Sequence, residues 1–166
     1  MIVQEIVNTL KLLPHPEGGY YKETYRSKGK IVNGSLNEQF TSSRSYATGI
    51  YFLLTKNIFS AFHKIKQDEM WHFYDGHPLA VHIIDKYGVY YKQIIGNKFH
   101  ENQVPQFVVP RGAWFASSVE EDGEYSLVGC TVSPGFDFND FELADRASLI
   151  KEHPNHKNII TKLTKV

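Results

Sequence analysis

Histidines and carboxylates are concentrated in the middle of the chain, where they could transfer protons or bind a metal. Five of the eight histidines lie between residues 63 and 100. The densest segment is Phe62–Gly76, which contains His63, Glu69 and His72. Histidine ionises near neutral pH, and burial raises the pKa of a carboxylic acid toward the same range. A histidine close to a glutamate in an apolar pocket is therefore typical of general acid–base catalysis.

The strand period predicts which of these side chains meet. Alternate residues of a strand share a face, so His63 faces one side of its strand, and Glu69 and Trp71 share a face of the next. If both faces point into a barrel, His63 and Glu69 converge there with Trp71 beside them. We therefore predict His63 and Glu69 as the catalytic pair. A purely structural role, as a buried hydrogen-bonded pair, is the alternative.

Other residues of suitable chemistry are predicted to bind a ligand around this pair. An arginine at a barrel mouth suits bidentate binding of a phosphate or carboxylate, and an aromatic wall suits a planar ring. The predicted ligand-binding residues are Trp71, His72, Arg26, Arg44, Tyr51 and Trp114. A surface or interface role for the arginines is the alternative.

The elements that must position these residues are mostly short strands. From residue 20 onward, runs rich in Tyr, Phe, Val, Ile and Thr alternate with turn residues such as Gly, Asn, Asp and Pro. Many short strands separated by turns indicate an all-β sandwich or barrel rather than a parallel α/β sheet. The predicted strands are 20–26, 46–55, 58–65, 69–74, 79–85, 88–95, 106–109, 113–118 and 125–132.

Helices are predicted only at the two ends of the chain. Apolar residues recur at helical spacing from Ile2 until Pro14 ends the pattern, which predicts a short amphipathic helix. A second short helix is predicted after Phe141, and the residues from Pro154 onward are predicted to form a loosely held tail or short helix. The polar, Gly- and Ser-rich residues 27–45 are predicted to form a long loop that could cover a barrel mouth.

Length, charge and cysteine content exclude several classes of protein. The 166 residues suit one domain, with a barrel core at about 18–140 and a helix and tail at 141–166. Eighteen basic and eighteen acidic residues balance, which argues against a nucleic-acid or anionic-membrane surface. The single cysteine, Cys130, excludes an intrachain disulfide framework and predicts an inert core thiol. With no signal peptide or membrane-spanning run in the sequence, we expect a cytoplasmic protein.

Four segments resemble the motifs of one cupin family, the uncharacterised family marked by HPEGG, DEIWH and PGFDF. The matching segments, in order, are His15–Tyr20, Glu23–Ser27, Asp68–His72 and Val132–Phe138. The resemblance extends over about residues 8–143. It implies a double-stranded β-helix, the cupin jelly-roll barrel, and commonly a homodimer. It does not imply an established reaction.

The resemblance also identifies the positions at which many cupins hold a divalent metal through three histidines and a glutamate. These positions are occupied here by His63, Ile65, Glu69 and Phe115. Isoleucine and phenylalanine offer no lone pair, and two protein ligands seldom retain a transition metal. We therefore predict no metal cofactor. If a divalent metal is bound, its expected ligands are His63, Glu69 and His72.

Three functions follow as hypotheses. Without a metal, the pair resembles the site of metal-free cupin epimerases of deoxysugar nucleotides, which use a histidine base and a tyrosine acid. The resemblance implies a tyrosine proton donor, for which Tyr51 and Tyr74 are both candidates, and the sequence does not favour either. The first hypothesis is therefore a small-molecule-binding protein, or a metal-free isomerase or epimerase, for a sugar, nucleotide or base-like ligand. A divalent-metal-dependent enzyme and a non-catalytic structural or storage-like cupin are the alternatives. The expected partners are a small molecule in the barrel and a second copy of the chain, with neither nucleic acid nor membrane.

Overall fold

Strands dominate the structure, a computed structural model that describes residues 2–120 and 122–165. The strands are β1 (Leu13–Pro14), β2 (Tyr20–Arg26), β3 (Lys30–Ile31), β4 (Arg44–Ser45), β5 (Thr48–Thr55), β6 (Phe59–Lys64), β7 (Asp68–Gly76), β8 (Leu79–Ile84), β9 (Tyr90–Ile95), β10 (Gln106–Val109), β11 (Trp114–Val119), β12 (Tyr125–Ser133) and β13 (Glu142–Leu143). The helices are α1 (Ile2–Leu10), α2 (Arg146–Glu152) and α3 (Lys157–Lys162).

The longer strands form two antiparallel sheets. One sheet has six strands in the order β1-β2-β5-β12-β7-β10, and the other has five in the order β13-β6-β11-β8-β9. Strands that are neighbours in a sheet are often distant in sequence, as β5, β12 and β7 are. This crossing of the chain between two sheets confirms the predicted all-β jelly roll, and the predicted strands correspond to the main strands observed.

The space between the sheets holds the principal core. Inward residues of the six-stranded sheet, such as Phe52 and Trp71, pack with Ile83 and Phe115 of the five-stranded sheet. All four side chains are almost fully buried. This packing holds β6 and β7, the strands that carry His63 and Glu69, in fixed positions.

A second core lies on the other face of the five-stranded sheet, beneath the C-terminal helices. Phe62 and Trp114 face outward from that sheet and pack against Leu149, Ile160 and Leu163. The backbone N–H of Phe62 donates to the carbonyl oxygen of Leu163 at 2.8 Å. Of the two alternatives predicted for the residues from Pro154 onward, a loosely held tail or a short helix, the short helix is observed as α3, and its apolar side chains cover this face.

The loop at residues 27–45 does not cover the cavity described below. It contains the short β3–β4 pair, and none of its described residues lines that cavity. Instead, the Arg44 guanidinium is buried in a bidentate ion pair with Asp140, with N–O distances of 2.6 and 2.7 Å. The loop is thereby attached to the turn that precedes β13.

Candidate functional site

A cavity of about 570 Å³ opens between β6 and the inner face of the six-stranded sheet. Its walls are mainly apolar and aromatic, and the chain after β12 closes one side. The aromatic wall residues are Tyr21, Phe52, Phe136, Phe138 and Phe141. Two histidines and two glutamates face this space at its buried end: His15, Glu17, His63 and Glu69. The mainly apolar walls and the few polar groups are typical of a small-molecule site.

The loop before β2 brings Glu17 into the cavity. Gly18 and Gly19 both have positive φ, at 122° and 74°, as a tight turn into β2 requires. A Cβ at Gly18 would lie 2.1 Å from the carbonyl oxygen of Phe59, so only glycine allows the loop to lie against the start of β6. The Ser60 hydroxyl then donates to Glu17 Oε1 at 2.8 Å.

Glu17 is the direct partner of His63. The Nε2 atom of His63 lies 3.1 Å from Glu17 Oε2, and both side chains are over nine-tenths buried. His63 Nδ1 lies 2.7 Å from the carbonyl oxygen of Ala61. Because a carbonyl only accepts, Nδ1 carries the hydrogen, and Nε2 of the neutral ring has a free lone pair.

Burial favours the neutral forms of this pair. It lowers the pKa of His63 and raises that of Glu17. When Glu17 is protonated, its hydroxyl can donate to His63 Nε2, and a neutral acid and a neutral base then share one proton. His15 adds a third group, since its Nδ1 accepts the backbone N–H of Glu17 at 3.3 Å and lies 3.5 Å from Glu17 Oε2.

Glu69 faces the same cavity from β7. Burial raises its pKa to about 7. Nearby His63 lowers this pKa, and nearby Glu17 raises it. The predicted convergence of His63 and Glu69 on one buried space is observed, although the atom in contact with His63 belongs to Glu17. Cys130 lies beside Glu69, and burial together with this carboxylate holds the pKa of its thiol well above the usual range. That thiol is a poor nucleophile.

The two tryptophans lie outside the cavity lining. Trp71 is buried behind it, with edge-to-face ring contacts to Phe52 and Phe115 at 5.9 and 6.3 Å. Trp114 faces the C-terminal helices, where Lys64 Nζ lies 4.4 Å from its ring centroid. The prediction that these rings contact a ligand is corrected, because both are occupied in packing.

His72 and the two candidate tyrosines lie on the outer face of the six-stranded sheet. His72 Nε2 is 2.9 Å from the hydroxyl of Thr131, on the opposite side of β7 from Glu69. Tyr51 and Tyr74 pack edge to face there at 6.1 Å. None of these three side chains lines the cavity, so the structure does not bring them together with His63 and Glu69 as the sequence predicted.

Of the two arginines predicted to bind a ligand, only Arg26 lines the cavity. Its Nε and Nη2 donate to the two carboxylate oxygens of Glu23 at 2.8 and 2.7 Å. The Arg44 guanidinium is instead paired with Asp140, so the prediction that Arg44 binds a ligand is corrected to a structural role. Hydrogen bonds from Arg44 and Gln67 lower the pKa of Asp140 although burial alone would raise it.

Comparison with known proteins agrees with this architecture. Residues 4–144 match the family described as Cupin superfamily (DUF985). The chain belongs to this family. The uncharacterized protein YML079W of Saccharomyces cerevisiae is 32% identical over 147 residues, which are 83% of this cupin and 73% of the yeast protein.

Solved structures of similar proteins share the whole fold of this cupin. A hypothetical protein from Leishmania major is 38% identical, with a TM-score of 0.90 and 98% of each chain covered. Protein SO0799 of Shewanella oneidensis is 37% identical, with a TM-score of 0.88, covering 98% of this cupin and 96% of that chain. The match to oxalate decarboxylase of Bacillus subtilis, at 15% identity and a TM-score of 0.55, covers 90% of this cupin and 36% of the oxalate decarboxylase chain. That last likeness shows the fold alone.

The residues of this cupin do not fit the metal that its superfamily commonly binds. Ile65 and Phe115 occupy two ligand positions, and the Phe115 ring lies 4.1 Å from that of His63. Both nitrogens of His63 already have partners, and His72 faces away. Within residues 2–120 and 122–165, no group of three or more His, Cys, Asp or Glu side chains could hold a metal ion.

Glu17 and His15 were missed by reasoning from strand periods, because both precede β2 in a loop. The signal was nevertheless present in the sequence, since both lie in the HPEGG motif of the family. Tyr21 was also missed; it lines the cavity, and its ring centroid is 4.5 Å from that of His15. Separately, none of the helices in the described part of this cupin is long and apolar enough to cross a membrane.

Proposed function

We propose that this cupin binds a small organic molecule in the cavity and transfers a proton on it without a metal, as an isomerase or epimerase. One observation carries the proposal: His63 Nε2 lies 3.1 Å from Glu17 Oε2, buried at the end of an open cavity. A buried acid and base in mutual contact, beside space for a ligand, are the groups that general acid–base catalysis needs.

The proposed reaction moves a proton at a carbon next to a carbonyl group. Glu69, whose pKa is about 7, is present in both forms near neutral pH and is assigned to removing that proton. The electron pair of the broken C–H bond passes to the carbonyl oxygen, and an enol or enolate results. The Glu17–His63 pair is assigned to returning a proton to the carbon. Glu69 then releases its proton to solvent water and the pair takes one up from solvent water, so that atoms and charge balance over the cycle.

The shape and chemistry of the cavity support a sugar, nucleotide or base-like ligand. About 570 Å³ accommodates a molecule of that size, and the aromatic walls suit a planar or partly apolar body. His15 and Tyr21 add hydrogen-bonding groups near the pair. Metal-dependent chemistry is disfavoured because Ile65 and Phe115 stand where a metal would need ligands.

Proton transfer is tested by the exchange of carbon-bound hydrogen with solvent. The protein is incubated in D₂O with deoxysugar nucleotides, sugars, nucleobases and organic acids, and deuterium incorporation is followed by NMR. The expected result is exchange into one class of ligand, reduced about 100-fold or more in His63→Gln. The matched control is His82→Gln, which removes another buried histidine, one that does not line the cavity.

The other functions give different results in the same experiment. Exchange that is lost on treatment with EDTA and restored by a divalent metal would contradict the metal-free reaction. Binding without exchange in any ligand of the panel would favour the non-catalytic alternative. Equal exchange rates in His63→Gln and His82→Gln would remove the proposed pair from the reaction.

A further inference from the structure

The cavity is chemically divided along its length. Its buried end carries the Glu17–His63 pair, whereas β2 contributes charged residues at the exposed end. Glu23 and Arg26 side chains are 41% and 42% exposed there. A ligand that spans this cavity therefore meets proton-transfer groups at one end, aromatic walls in the middle and the charged side chains of Lys22, Glu23 and Arg26 at the mouth.

A bulge in β2 turns Arg26 toward the cavity. Tyr21 pairs with Phe52 and Glu23 with Ile50, but Arg26 pairs with Thr48 after a register shift between Glu23 and Tyr25. Without this extra residue, strand alternation would place positions 23 and 26 on opposite faces. Because of it, both line the cavity.

The Arg26 guanidinium is already arranged to bind a carboxylate. It donates through Nε and Nη2 to both oxygens of Glu23, in the planar two-point geometry that arginine forms with carboxylates. Nη2 also donates to the carbonyl oxygen of Phe136 at 3.0 Å, which attaches the guanidinium to the aromatic wall. An exposed pair of this kind is weak and can be exchanged.

We propose that Arg26 binds the carboxylate of the ligand at the cavity mouth and that Glu23 occupies this position when no ligand is bound. The assignment rests on the proposed proton-transfer function and deepens it by choosing, in place of nucleotides and neutral sugars, one substrate class: small organic carboxylates with an apolar or planar body. A monoanion suits the mouth better than a phosphate dianion, because Glu23 and Asp137 both act on Arg26 and remain nearby.

A matched pair of probes tests the charge preference. Phenylacetate and 2-phenylethanol have the same ring and differ in the carboxylate, and phenyl phosphate supplies the alternative anion. In calorimetric or NMR titrations, phenylacetate is expected to bind about tenfold more tightly than 2-phenylethanol. Equal binding of these two probes, no binding of phenylacetate, or stronger binding of phenyl phosphate than of phenylacetate would overturn the proposal.

Two variants at the mouth are expected to act in opposite directions. Arg26→Gln should abolish the preference for phenylacetate, whereas Glu23→Gln should strengthen phenylacetate binding about two- to fivefold by removing the competing carboxylate. Arg111→Gln, which removes an exposed arginine outside the cavity lining, is the control. An unchanged preference in Arg26→Gln, or weaker binding in Glu23→Gln, would overturn the assignment.

The binding and exchange experiments can fail separately. If the Arg26-dependent preference is found but no organic acid exchanges deuterium, the anion site stands and the proton-transfer function fails. If exchange occurs only with ligands that lack a carboxylate, and Arg26→Gln does not affect it, the proton-transfer function stands and the substrate class is wrong.

Discussion

At the scale of single residues, the cavity is unusual because its titratable groups are buried together with few compensating charges. His63, Glu17 and Glu69 are all at least nine-tenths buried. Desolvation is the largest influence on each of their pKa values, and it favours the neutral form in each case. Such groups tend to cost folding stability, which is a common feature of functional sites.

The raised pKa of Glu69 predicts a particular dependence of stability on pH. The folded protein keeps this proton up to about pH 7, whereas the unfolded chain releases it near 4.5. The free energy of unfolding therefore loses about 3 kcal/mol from this group as the pH rises through that window. Glu69→Gln removes the titration, so its stability relative to the wild type should increase from pH 5 to pH 8 in urea denaturation.

The comparison must be made as variant minus wild type at each pH. Burial lowers the pKa of His63 and His15, and their contribution to stability is lost as the pH falls, opposite in sign to that of Glu69. Glu38→Gln, which removes an exposed carboxylate from residues 27–45, is the control. The same pH trend in both variants would contradict the assignment to Glu69.

At the scale of elements, two departures from regular structure set the geometry of the site. The glycine turn before β2 delivers Glu17 to β6, and the bulge within β2 directs Arg26 to the mouth. Both devices belong to the same short stretch of chain. Regular strands alone would leave His63 without its partner Glu17 and would turn Arg26 away from the mouth.

The glycine turn supplies a sharp test of this view. A Cβ at Gly18 would clash with the Phe59 carbonyl at 2.1 Å in a backbone conformation that L residues rarely adopt. Gly18→Ala is therefore expected to lower the unfolding free energy by about 2–4 kcal/mol, measured by urea denaturation. Gly34→Ala is the control, since a Cβ there would have no atom within 4 Å and should change stability little.

The two glycine variants also distinguish an effect on the position of Glu17 from an effect on folding stability. If Gly18→Ala folds, it should disturb the Glu17–His63 contact and reduce deuterium exchange, while Gly34→Ala should leave exchange unchanged. Equal stability of the two variants would show that the loop does not depend on the glycine conformation.

At the scale of the whole molecule, apolar surface remains that the single chain does not cover. No described residue of α1 is buried, although its apolar side chains lie on one side, and Leu13 after it is 64% exposed. Met70 and Val108 on the outer face of the six-stranded sheet are 37% and 40% exposed. Surfaces of this kind are typical of contacts between subunits.

We therefore propose that the chain forms a homodimer, as the family resemblance implies. Light scattering after size exclusion should give twice the chain mass of 19.1 kDa, about 38 kDa, at micromolar concentration. Leu13→Glu and Met70→Glu are expected to shift the mass toward one chain if α1 or the sheet face is the interface. A mass of one chain over the whole concentration range would contradict a dimer.

The sequence by itself determined the strands, the all-β class and which neighbouring residues share a strand face, such as His63 with Ile65 and Glu69 with Trp71, because residue alternation and turn residues are local properties. It also showed that Ile65 and Phe115 stand at two positions where many cupins hold a metal, since that observation needs only the identity of two side chains.

Only the tertiary structure decided which faces look into the cavity and which look elsewhere. A period of two shows that Trp114 and Phe115 face opposite sides, but not that helices cover one of those sides. Similarly, Arg44 found a buried partner at Asp140, 96 residues away, and Glu17 reached His63 through a loop. Such pairings depend on how the sheets and loops pack together, and no local pattern of residues encodes that packing.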